Sequence, residues 1–109
     1  MQTVIRINDS ELNAVFQAYV ERRLRFALSR FEGRVGQISV RINSDGRRGY
    51  RCRVSAEGLP FGRVVAGETG PDLLIAVDQA TGRIGRLFGR ELERAREARV
   101  SRESIRLAA

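Results

Sequence analysis

Arg83, Arg86, Arg90 and Arg94 follow one another at steps of three, four and four residues, with Gln79 four residues ahead of the first. On a helix that spacing lines the side chains along one strip. A guanidinium is a planar fork that grips a phosphate through two parallel hydrogen bonds and can stack on a base. Cations held at intervals on one rigid element therefore suit a polyanion whose charges also come at intervals. A second set lies upstream: Arg22, Arg23, Arg25 and Arg30, with Arg34 just beyond. Arg47 and Arg48 sit together in a loop, where they could tip a turn or touch phosphate.

Other chemistry is poorly supplied. There is no His, and Cys52 is the single cysteine, which removes imidazole bases, zinc sites and any intramolecular disulfide. No pair of carboxylates has a base or metal partner. Gly82 and Gly85 lack the Lys and Ser/Thr of a phosphate-binding loop. The sequence thus points away from an enzyme, a cofactor and a small-molecule substrate. Cys52 alternates with Arg51 and Arg53, which reads as a small core residue, and a lone thiol suits a reducing compartment.

The net charge of +7 and a pI of about 11.3 favour a polyanionic partner. All the basic residues are Arg. No apolar run approaches the roughly 18 residues that would span a bilayer, and the N-terminus runs straight into strand-like residues. The expected setting is cytoplasmic, with no membrane partner.

The arginines must be positioned by elements that the apolar spacing outlines. Thr3 to Ile7 alternate as a strand. Asn8, Asp9 and Ser10 offer helix caps, and Leu12, Val15, Phe16, Tyr19, Val20, Leu24, Ala27, Leu28 and Phe31 recur at helical spacing, with Gly33 as a stop. Ile38, Val40 and Ile42 form one alternating strand. Tyr50, Cys52, Val54 and Ala56 form the next, after a turn at Asp45-Gly46. Gly58-Leu59-Pro60 breaks the chain before a third strand from Arg63 to Glu68.

The second helix starts with Thr69 or Gly70 as cap, Pro71 in the first turn and Asp72 at the positive dipole end. Its stripe is Leu73, Val77, Ala80, Ile84, Leu87, Phe88 and Leu92, weakened by Gly82 and Gly85. Beyond Arg94 the alternating charge predicts fraying. The expectation is an α+β chain of βαβββα order: a four-stranded sheet with two helices on one face, over residues 1–96, and a flexible basic tail over 97–109.

In that arrangement Arg23 and Arg30 edge one side of the first helix's apolar face, Arg22 and Arg25 the other. Side-by-side helices would merge them with Arg83, Arg86 and Arg90. Arg94, Arg96 and Arg99 read as solvated charges balanced by Glu91, Glu93 and Glu97. The open sheet face carries Arg6, Arg41, Arg51 and Arg53 but no aromatic pair for base stacking, which argues against sheet-based reading of single strands.

Two stretches carry a family resemblance. Tyr19-Val20-Glu21-Arg22-Arg23-Leu24, continuing to Arg34-Val35 and Ile38-Ser39-Val40, is similar to a Tyr-Val-Glu-Lys-Lys-Leu helix end and the strand after it. Asp72-Leu73-Leu74-Ile75-Ala76-Val77-Asp78, leading to Arg83-Ile84-Gly85-Arg86, is similar to an Asp-Met-Tyr-x-Ala-Ile-Asp signature followed by Lys-Leu-x-Arg. Together they resemble the ribosome hibernation-promoting factor and ribosome-associated inhibitor family, also labelled sigma-54 modulation proteins. Leu74 in place of Tyr, and Gly82 and Gly85, depart from that pattern.

The resemblance implies that Arg22, Arg23, Arg83, Arg86 and Arg90 face the ribosomal RNA of the small subunit. Members sit in the decoding channel and block messenger and transfer RNA in stressed or stationary cells. The chain resembles the short class, which implies a monomer that does not pair ribosomes alone. Two other readings stay open: a generic double-stranded RNA-binding module and a transcription-related interaction protein. The first would carry basic residues where Pro71-Asp72 opens the second helix.

Overall fold

A computed structural model describes residues 2–7, 14–44, 46 and 49–108, with 2–7 and 108 as backbone alone. The elements are β1 (Gln2–Ile7), α1 (Ala14–Leu28), a 3-10 turn (Ser29–Arg34), β2 (Val35–Ser44), β3 (Tyr50–Gly58), β4 (Gly62–Gly70) and α2 (Leu73–Ala108). The fold is α+β: a helix, three antiparallel strands and a long C-terminal helix, with β1 running parallel to β2 at the sheet edge. The cap residues Asn8, Asp9 and Ser10, together with Asp45, Arg47 and Arg48, lie outside the described residues.

Period-two alternation sorts the strands into two faces. Ile38, Val40, Ile42, Cys52, Val54, Ala56, Val64 and Ala66 are buried beneath the helices. Ser39, Arg41, Arg51, Arg53 and Arg63 between them face solvent. From α1 the core takes Val20, Leu24 and Leu28, and from α2 it takes Ala76, Val77, Ala80, Ile84 and Phe88. Val15, expected on the stripe, is instead 78% exposed. Phe88 is held between Phe31 and Phe61, with ring centroids at 5.1 and 4.9 Å. Phe61 reaches it by lying across Gly58, where a Cβ would come within 2.1 Å of the ring.

Three boundaries differ from expectation. The cap of α2 is Asp72 rather than Thr69 or Gly70: its Oδ1 accepts from the Ile75 amide at 2.9 Å, while β4 extends to Gly70. α1 gives way to the 3-10 turn at Ser29, ahead of Gly33. Most visibly, α2 does not fray at Arg94 but runs 36 residues to Ala108. Arg, Glu and Ala are strong helix formers. Arg94–Glu91 at 3.2 Å and Arg99–Glu103 at 3.8 Å add pairs one turn apart. The helix projects past the sheet and stretches the molecule to 61 × 24 × 17 Å.

Candidate nucleic-acid interface

The two helices meet through small residues. A Cβ at Gly85 would stand 3.0 Å from the Ala27 carbonyl oxygen, and one at Gly89 would stand 3.1 Å from Phe31 Cζ. Glycine at these positions costs helix propensity but lets α2 lie close against α1. Between the helices lies a groove of about 350 Å³, lined by Arg23, Phe26, Ala27, Ser29, Arg30, Thr81, Gly82, Gly85 and Arg86. Arg23 and Arg30 from one edge of α1 thus join Arg86 of α2, while Arg22 and Arg25 are exposed and do not line the groove.

A cross-helix clamp ties the helices at Arg23, one of the groove's lining residues. Tyr19 Oη donates to Asp78 Oδ1 at 2.6 Å, and Arg23 Nε lies 3.2 Å from the same oxygen. That Arg23 nitrogen is buried and off the line of a directed hydrogen bond, so its tie to Asp78 is one of charge rather than geometry. The hydrogen bond to Asp78, then burial, raises the Tyr19 pKa above 10.0. Thr81, buried beside the clamp, donates back to the Val77 carbonyl at 2.8 Å.

The remaining arginines divide by partner. Arg83 is turned to β4, where Nη1 donates to Glu68 Oε1 at 2.9 Å. Arg86, Arg90, Arg22, Arg25, Arg30 and Arg34 have no ion pair among the described residues. Arg30 lies over the Phe31 ring at 4.7 Å, which holds its guanidinium at the groove edge. Arg34 is exposed beside β2, its carbonyl accepting from the Leu59 amide at 2.9 Å.

Phe26 was not marked by the sequence reading. It is 78% exposed at the groove, with Arg23 5.8 Å from its ring centre. The available signal was negative: a phenylalanine standing among Arg22, Arg23 and Arg25, off the apolar spacing of Leu24, Ala27, Leu28 and Phe31. An exposed ring bordered by guanidiniums can stack a base while the cations hold its phosphates.

No group of three or more His, Cys, Asp or Glu side chains capable of holding a metal occurs among the described residues. None of the described helices is long and apolar enough to cross a membrane. Burial pushes the Cys52 thiol up to about 12, so it stays protonated and inert.

No family model matches the sequence, and no curated protein matches it. Solved structures do. The crystal structure of the N-terminal domain of Protein Y from Thermus thermophilus superposes with a TM-score of 0.69 at 25% identity, covering 83% of this chain and 98% of that one. A ribosomal subunit interface protein from Coxiella burnetii superposes at 0.65 and 14% identity, covering 83% and 96%, a likeness of fold. The chain is thus a structural match, over most of its length, to the N-terminal domain of Protein Y.

Proposed function

We propose that this protein is a ribosome-associated hibernation factor that binds the ribosomal RNA of the small subunit at the decoding channel. There it excludes messenger and transfer RNA by occupancy rather than by catalysis, in keeping with the non-enzymatic family it resembles. The observation that carries the reading is the interhelical groove, where Arg23, Arg30 and Arg86 surround the exposed Phe26 on a fold shared with Protein Y. Arg90, one turn beyond Arg86, extends the cationic strip. Arg22, Arg25 and Arg34 widen the basic surface around it, and the protein acts as a monomer.

A double-stranded RNA-binding module would present the open N-terminus of its last helix to phosphate. Here the Asp72 carboxylate already caps the Ile75 amide, and its charge repels an incoming phosphate. The ribosomal reading is therefore preferred.

Cell-free translation tests the proposal. Added protein should stop synthesis stoichiometrically with ribosomes, and excess messenger RNA should relieve the block. Unchanged synthesis at a molar excess of protein would refute it.

A further inference from the structure

The sheet face opposite the helices carries its own arrangement of charge. Arg41 of β2 and Arg53 of β3 are direct cross-strand partners, and Arg6 of β1 stands in register with Arg41. Three arginine positions therefore form one row across neighbouring strands, each about 4.8 Å from the next. Like charges placed directly opposite destabilise a sheet. Neither Arg41 nor Arg53 has an ion pair among the described residues to offset the repulsion.

The row borders a depression of about 350 Å³ lined by Gln37, Ser39, Arg41, Arg53, Ser55 and Arg63, with Val40 and Val65. No acid lines it. Glu57, on the same face, is set toward Arg63 at 3.9 Å and the Gln37 amide at 3.5 Å. On β4 the row ends at Gly67, where a Cβ would meet nothing within 4 Å, so the row stays open to a ligand. Forked cations flanked by hydroxyls and an amide suit phosphate oxygens. The absence of an aromatic ring removes base stacking.

We propose that this face is a second RNA-binding surface, gripping the phosphodiester backbone of an RNA segment without regard to sequence. With the helical groove on the other side, the domain is held between two stretches of RNA. The choice of RNA as occupant rests on the ribosomal reading above; the anion-binding chemistry of the face does not.

The test is R41S/R53S in the full chain, titrated against purified small ribosomal subunits over a range of KCl. The logarithmic salt slope should fall by about 1.4 to 1.8, two contacts at 0.7 to 0.9 each, with affinity down at least about tenfold near 0.1 M salt. R41K/R53K should keep most of the slope. Thermal melting of R41S/R53S should be no lower than that of the parent, since a repulsion is removed. Unchanged affinity and slope would overturn the proposal.

If the parent chain does not bind subunits, the ribosomal reading fails separately, and the comparison moves to a fluorescein-labelled single-stranded 20-mer RNA. Loss of binding in R41S/R53S there upholds the sheet surface, and equal binding overturns it. Loss only on phosphatidylserine vesicles, with RNA binding intact, overturns it as well.

Discussion

Tyr19 and Asp78 are 59 residues apart in sequence and 2.6 Å apart in space, and their hydrogen bond ties α1 to α2. The bond positions more than itself, because Arg23 shares the same carboxylate oxygen. Tyr19→Phe should cost about 0.5–1.5 kcal/mol, the ordinary net worth of such a bond. A urea titration measures it.

The same bond has a pH signature. Tyr19 titrates above 10.0 when folded, chiefly because its hydroxyl donates to Asp78. A raised value means the contribution is whole below about pH 10, the unfolded value, and drains away as pH rises through the folded one. Urea midpoints taken from pH 8 to 11 should fall at the alkaline end for the parent and less steeply for Tyr19→Phe. Parallel curves would contradict this.

Gly82 and Gly85 should respond oppositely to substitution. A Cβ at Gly82 meets only the far end of the Arg86 side chain at 3.4 Å, so Gly82→Ala should stabilise by up to about 1 kcal/mol through helix propensity. Gly85 faces the Ala27 backbone at 3.0 Å, so Gly85→Val should force the helices apart at about 1–3 kcal/mol. Thermal melts of the two variants, shifted to opposite sides of the parent, are the expected result.

Phe26→Ala should leave the melting temperature unchanged, since the ring is mostly in solvent, yet weaken RNA binding by about 1–3 kcal/mol. Fluorescence anisotropy with a labelled single-stranded RNA would measure it. Equal affinity would remove Phe26 from the interface.

Cys52, fully buried and raised to about 12, should resist a thiol-reactive disulfide reagent at pH 8 in the native protein and react at once in urea. Rapid native labelling would mean that the sheet opens locally.

The strand faces and helix stripes were legible because a half-buried strand must alternate and a packed helix must repeat its apolar residues; Cys52 and Phe88 fall where those rules put them. What escaped was long-range. Arg83 has no acid within four residues in sequence, yet folding brings it to Glu68 on β4. Gly85 looked like a flaw in a helix until Ala27 stood against it. The length of α2 escaped because its distal half, with almost no core to contact, rests on propensity and charge pairing, which an apolar pattern does not register. Phe26 escaped because an exposed aromatic has no periodicity to betray it.

Co-sedimentation with small ribosomal subunits tests the central claim most directly. The parent chain should travel with the subunit, with a salt slope of magnitude roughly 4 to 5 for about six phosphate contacts. R30E/R86E/R90E should remain folded and stay at the top of the gradient. A triple variant that co-sediments as tightly as the parent at the same salt would contradict the groove as the ribosomal contact.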